Sequence, residues 1–439
     1  MCVLALDIGA SFIKGARVYP HDGVIEHVVR KPFPPFCEGL PAGRREVRLG
    51  EILAATREVL EEVLLDGPVP RALLICGQMH GLVLVSPEGS PLSEFSSWQD
   101  ERALELTPDG SRTCFDLLVD RLGSDVLAAL GNESRPGFPL AKLHAMAMHG
   151  RLPPHAVPLS LPDYVALSLC NRLDLPATDA TNAAAHGALH VARREWHTDA
   201  IERAGLAHLA WPRITPAAAP LGEFRYKGHE IRVHVPVGDQ QAALCGAELA
   251  RDEVSLNIAT GSQVSIMATG PEAGPWQVRP FFDQCWLRTV THLPAGRALN
   301  ALLGLLGELA ADQGTPLRDP WAQIERLAGL AATPEMRANI AFFPSAAGDK
   351  GSLQGLSEGE LHIGPLFRAV FRSMASNYLE AARRIAPAGW SRVVFSGGLA
   401  RRSGILREEI MAQFGSAHRV AVHTEDALAG LMRLAKHLL

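Results

Sequence analysis

Two carboxylates and a few small-residue turns carry most of the chemistry this sequence could perform. Asp7 ends the apolar run Val3–Leu6, and the residues after it, Gly9-Ala10-Ser11, are small and turn-prone. A carboxylate there is either satisfied by turn N–H groups or holds a hydrated Mg²⁺, which favours one or two carboxylates plus phosphate oxygens. Asp239 follows the strand-like Val233–Val237 and precedes a helical pattern. It reads as a helix cap, as a proton acceptor, or as both, because a helix N-terminus favours the ionised carboxylate. The resulting low-pKa base would suffice for phosphoryl transfer, where positioning dominates. Free N–H groups with no Cβ in the way are what a phosphate needs. The turns Gly9–Ser11 and Thr260-Gly261-Ser262 both offer them, and Lys14 could add a point charge. Taken alone, either turn reads first as a hairpin turn that needs Gly only for its backbone.

A second group of residues suits a sugar. Gln78-Met79-His80-Gly81 interrupts two apolar strands with groups that can bond hydroxyls, and Trp98-Gln99-Asp100-Glu101-Arg102 adds an aromatic face and charges. The alternatives are a satisfied core histidine and a packing tryptophan. Ser396-Gly397-Gly398 follows an apolar strand and opens a helix, which suits a base or phosphate close to the backbone or an ordinary turn. No GxxxxGK[ST] loop, HExxH pair or GxSxG elbow occurs.

These residues must be carried by strand ends. Strands are expected at Val3–Leu6, Phe12–Tyr19, Leu73–Cys76, Leu82–Val85, Val233–Val237, Val254–Ile258, Gln263–Ala268 and Arg392–Phe395. Helical spacing marks Leu49–Leu65, Phe115–Leu130, Leu140–His149, Ala242–Ala250, Leu299–Ala311, Trp321–Leu330, Leu366–Ile385, Gly404–Phe414 and Asp426–Leu439. Leu4–Ser11 and Ser255–Ser262 echo each other as strand, polar residue and small turn, about half a chain apart. That spacing is expected if one plan is used twice, with a boundary near residue 245.

Composition narrows the classes. The 439 residues are 47% hydrophobic and 20% charged with a net charge of −5, ordinary for a globular chain of two or three domains. Lys and Arg form no stripe, so no nucleic-acid partner is expected. No apolar stretch approaches the ~18 residues of a membrane span, and the acidic Asp7 argues against a signal peptide. Seven scattered cysteines without CxxC favour reduced thiols in a cytoplasmic protein.

In order along the chain, DIGASFIKG (7–15), GQMHG (77–81), WQDER (98–102), GFPLAKL (137–143), TDATNAA (178–184), GDQQAA (238–243), NIATGSQ (257–263), GSLQGL (351–356), SGGLARRS (396–403) and EDALAGLM (425–432) resemble the FGGY carbohydrate kinases. The resemblance implies an α/β fold of two actin-like (ribonuclease H-like) domains with a catalytic cleft between them. Residues 1–244 would form a sugar-binding domain and 245–439 a nucleotide-binding one. It implies ATP and Mg²⁺, a small-molecule sugar substrate, no membrane, and room for a homodimer. Asp239 would be the base. Asp7, with Asp239, would face the metal. Gly9, Ala10, Ser11, Lys14, Thr260 and Gly261 would face phosphates; Gly348, Gly397, Gly398 and Arg401 would complete the ATP site. Gln78, Met79, His80, Trp98, Asp100, Asn182 and Gln240 would line the sugar pocket. PDYVALSLCNRL (162–173) and the WQD form point to a heptulose first, TDATNAA to a pentulose second. The alternatives are a non-metabolic actin-like ATPase and a sugar-binding regulator. Departures from the family pattern are Ala10 for the usual Thr, Ala145 for Trp, Gly348-Asp349-Lys350 for Gly-Glu-Arg, and Pro365 for a polar helix start.

Overall fold

A computed structural model describes residues 1–174, 176–217 and 219–438. They form two compact units. The first holds Met1–Gly246, Thr269–Trp286 and the stretch from Glu425 onward; the second holds Ala247–Ala268 and Leu287–Thr424.

In the first unit the strand Val3–Ile8 is buried along its whole length, as the apolar run Val3–Leu6 leads one to expect of a strand covered on both faces. It pairs antiparallel with Phe12–Tyr19 and parallel with Ala72–Gly77. The sheet continues outward to Val24–Pro32 on one side and to His229–His234 and Pro220–Tyr226 on the other. Val237–Gly238 returns to the inner strand, opposite Cys76 and Gly77. Leu4, Leu6 and Ile8 point to one face, where Ile52, Val59 and Leu60 of the helix Leu49–Leu64 and Tyr164 and Val165 of Leu161–Leu169 cover them. Val3 and Ala5 point to the other face, against Leu428, Leu431 and Met432 of the C-terminal helix Asp426–Leu438. That helix crosses Asp239–Gly246 at van der Waals distance through two glycines. A Cβ at Gly430 would lie 1.8 Å from the Ala242 carbonyl oxygen, and one at Gly246 2.0 Å from that of Asp426.

The second unit repeats the local plan. Glu253–Ile258 pairs antiparallel with Ser262–Ala268 and parallel with Arg392–Ser396, as Val3–Ile8 does with its neighbours. Asn257 thus holds the position that Asp7 holds in the first unit. The long helix Ile363–Ile385 buries Phe367, Val370, Phe371, Met374 and Tyr378, a stripe at three- and four-residue spacing.

The strands Val24–Pro32 and Pro220–Tyr226 are additions to the elements read from sequence, and the strand expected at Val233–Val237 is divided between His229–His234 and Val237–Gly238. The two additions are outer strands, so Glu26, Arg30, Glu223 and Arg225 keep their charges near water and break the apolar pattern. The helix expected over 242–250 instead spans Asp239–Gly246, so Asp239 is its first residue rather than a flanking cap.

Candidate functional site

Parallel strands deliver their ends to one edge of the sheet, and in the first unit that edge gathers the predicted residues. Asp7 lies beside Cys76, whose Sγ is 3.8 Å from Asp7 Oδ1. Asp7 is 6% exposed; burial raises its proton affinity, and the Lys14 charge partly offsets this. Lys14, directly across the hairpin, is 3.7 Å from Asp7 Oδ2 and donates to Glu425 Oε2 at 2.9 Å. Arg30 joins Glu425 from the next strand at 2.5 Å. Glu425 is a charged neighbour that residue-by-residue reading left unassigned, although it opens the EDALAGLM segment. The turn Gly9–Ser11 is closed by the Gly9 N–H donating to Phe12 O at 3.0 Å, and Ala10 and Ser11 are exposed.

Asp239 corrects an expectation. Its helix start was expected to hold its carboxyl at low pKa. Instead burial, and then the negative charge of Asp7, push it up to about 7, outweighing the Gln240 N–H that donates to its Oδ1 at 2.8 Å. Desolvation penalises a full charge, whereas a helix N-terminus offers only a fraction of an elementary charge in return.

Around this edge the sugar-type residues divide into two sets. Gln78 and Met79 are buried at the end of Ala72–Gly77, and Gln78 Nε2 has no hydrogen-bond partner among the described residues. His80 adopts φ +67°, stacks on Phe138 with centroids 4.1 Å apart, and shares a hydrogen bond with Ala185 O at 3.0 Å. Burial lowers its pKa to about 3, so the ring is neutral. Trp98 is 39% exposed.

Asp100 and Asn182 also hold hydrogen bonds within the chain. Asp100 is fully buried; it accepts from Arg102 Nε at 2.6 Å and from the Arg45 N–H at 2.9 Å. Burial opposes its ionisation, and the Arg102 hydrogen bond and charge overcome that and hold its pKa below the usual carboxylate range. Asn182, also fully buried, donates to Pro236 O at 3.1 Å. That bond fixes the chain three residues before Asp239.

Two further groups went unread in the sequence. Lys142 of GFPLAKL is completely buried and donates to the carbonyls of His80, Ser96 and Ser97 at 3.0, 3.2 and 2.9 Å. Burial lowers its pKa to about 7. Gln240 accepts from Arg279, which pairs with Glu133. Helical spacing gave Lys142 no distinction from a solvated lysine, and Arg279 lies 39 residues beyond its partner Gln240.

In the second unit, the turn before Ser262 is exposed at Thr260 and Gly261. It is anchored from below: Gly296 and Arg297 N–H groups donate to Ala259 O and Thr260 O at 3.1 and 2.8 Å, and Ser262 Oγ meets Tyr378 OH at 2.8 Å. Gly397 has φ +85°, and a Cβ there would lie 2.5 Å from Ile258 O, so only glycine fits at the end of Arg392–Ser396. Gly398 opens the following helix. Arg401 is turned inward, donating to Ala421 O at 2.7 Å and to His423 O. Gly348, at φ +114°, closes a turn with Ser345. Among the described residues no helix is long and apolar enough to cross a membrane.

Residues 2–246 match the family model for the FGGY family of carbohydrate kinases, N-terminal domain. The chain is 23% identical to the sedoheptulokinase of Homo sapiens, an alignment covering 99% of this chain and 98% of that protein. It is 26% identical to a xylulose kinase of Lactococcus lactis over 68% of this chain and 60% of the relative. In fold it resembles the ligand-bound xylulose kinase of Lactobacillus acidophilus, with a TM-score of 0.83 at 17% identity over 100% of this chain and 90% of the other. With the family model spanning more than half its length, the chain belongs to the FGGY carbohydrate kinases, which use ATP to phosphorylate a sugar.

Proposed function

We propose that the protein phosphorylates a ketose, a heptulose such as sedoheptulose first and a pentulose second, with Asp239 as the base. The observation that carries this reading is the pairing of Asp7 and Asp239 at one sheet edge, with Asp239 held near neutral pKa. A base titrating near 7 combines a carboxylate at working pH with useful proton affinity. The sugar hydroxyl attacks the γ-phosphorus, its proton passes to Asp239, and the bond to the bridging oxygen breaks to release ADP. The heptulose assignment is supported by the near full-length similarity to sedoheptulokinase. The pentulose reading is favoured by the xylulose kinase likeness.

The first unit is assigned the sugar, and the second, through Thr260, Gly261, Gly397 and Gly398, the nucleotide. The exposed Ala10 and Ser11 of the turn, whose Gly9 N–H is bonded to Phe12 O, are assigned to the phosphates. Lys14, held by Asp7 and Glu425, contributes its charge from that pairing. The carboxylate oxygens of Asp7 and Asp239 are the hard donors that Mg²⁺ takes, and Asp7 would hold it through water. When bound, Mg²⁺ neutralises phosphate charge. Gln78, Met79, His80, Trp98, Asp100, Asn182 and Gln240 are assigned to the sugar pocket, Asp100 and Asn182 also bonding backbone groups there.

The test is sugar-dependent ADP release across a panel of ketoses, aldoses and polyols. Preference for a heptulose is expected. Preference for a polyol or aldose would overturn the ketose assignment, and ATP hydrolysis indifferent to every sugar would favour an actin-like ATPase.

A further inference from the structure

Residues 277–280 form a short strand in the segment 269–286, which groups with the first unit. Its backbone lies against the loop before GFPLAKL: the Val278 N–H donates to Gly131 O at 2.8 Å, and a Cβ on Gly131 would sit 2.2 Å from Val278 O. From this strand Arg279, 5% exposed, grips Glu133 with two nitrogens, Nε to Oε2 at 2.8 Å and Nη2 to Oε1 at 2.5 Å. Its third nitrogen, Nη1, donates to Gln240 Oε1. The next residue, Pro280, accepts from Gln241 Nε2 at 3.2 Å. One strand thereby holds both glutamines of GDQQ.

Chemistry fixes the orientation. A guanidinium only donates, so the end of the Gln240 amide that meets it must be the oxygen, and the nitrogen points away from Arg279. The fork geometry of arginine allows one side chain to hold a carboxylate in two-pronged fashion and still present another N–H. A lysine cannot do this from a single direction. Glu133 stays ionised for the same reason: burial acts against it, and the Arg279 charge and hydrogen bonds bring it down to about 2.

We propose that Arg279 and Glu133 are a positioning pair that sets the orientation of the Gln240 amide, and through it the affinity of the site for a sugar oxygen. The proposal deepens the reading of Asp239 and Gln240 as sugar-side residues and rests on it. Both charged groups act through Gln240, since the guanidinium is occupied by Glu133 and Gln240.

The test is a double-mutant cycle on initial-rate kinetics with the best sugar of the panel. Arg279→Lys keeps the charge and loses the fork; the sugar KM is expected to rise at least tenfold while the ATP KM stays within twofold. In a Gln240→Ala background the same substitution is expected to change the sugar KM less than twofold, because the group it acts through is gone. Equal effects in both backgrounds, or an unchanged sugar KM in Arg279→Lys, would overturn the proposal. Should Arg279→Lys fail to fold, Glu133→Gln keeps the shape and removes the countercharge. It is expected to give the same sugar-selective rise, and an unchanged sugar KM overturns the proposal equally. Asp239→Asn separates the two claims: its loss of turnover tests the base, whereas coupling between positions 279 and 240 tests the pair.

Discussion

Asp7 and the strand leading to Asp239 flank one strand from opposite sides: Cys76 pairs with Asp7 on one edge and with Val237, two residues before Asp239, on the other. The parallel register brings two acids 232 positions apart to the same end of the sheet, close enough for the charge of Asp7 to raise the proton affinity of Asp239.

The pH dependence follows from that spacing. Asp239 must be ionised to accept a proton, and its pKa is pushed up to about 7. The kcat/KM for sugar is therefore expected to fall about tenfold per pH unit below about 7 and to level off above it. Asp239→Asn is expected to cost about 10²–10⁴ in kcat while calorimetry still detects ATP binding. A profile flat from pH 5 to 8 would count against Asp239 as the base.

Lys142 spends its three N–H donors on three carbonyls from the GQMHG and SSWQD segments. Lys142→Met would leave those oxygens buried without partners. A loss of roughly 2–4 kcal/mol in unfolding free energy is expected, with a higher sugar KM in the protein that remains folded. Denaturant melts and kinetics check both; native-like values of each would show that the lysine is not what holds the two segments together.

The crossing of Asp239–Gly246 with Asp426–Leu438 leaves no room for a methyl group at Gly430. Gly430→Ala is expected to lower stability by about 1–3 kcal/mol and to reduce kcat, because the two helices begin at Asp239 and just after Glu425. Thermal unfolding and turnover at saturating substrates are the readouts, and an unshifted melting temperature contradicts the tight crossing.

Tyr378 supports the turn assigned to nucleotide by bonding the buried Ser262 hydroxyl at 2.8 Å. Tyr378→Phe removes about 1 kcal/mol of support. The ATP KM is expected to rise about fivefold with the sugar KM unchanged, as initial rates at varied ATP and sugar would show. Equal changes in both constants would instead mean a general loosening of the fold.

Much of this was legible in the residues. Val3–Ile8 announces a buried central strand because every position is apolar until Asp7, and an acid ending such a strand needs a reason. The echo between Leu4–Ser11 and Ser255–Ser262 reflects two hairpins with the same pairing, antiparallel on one side and parallel on the other. Gly397 is demanded locally by φ +85°.

What only the tertiary structure decided is which charges meet and at what cost. Local spacing made Asp239 a helix-stabilised, low-pKa acid; burial and a distant carboxylate reversed that, because desolvation and Coulomb terms depend on neighbours the chain brings in from elsewhere. The same holds for Lys14, bound by Glu425 from 411 positions away, and for Gln240, held by Arg279. Sequence set strands, turns and the acids at their ends through short-range periodicity and backbone sterics. Partnership between side chains was set by the fold, since hydrogen bonds and ion pairs act over a few ångströms in space and carry no trace of distance along the chain.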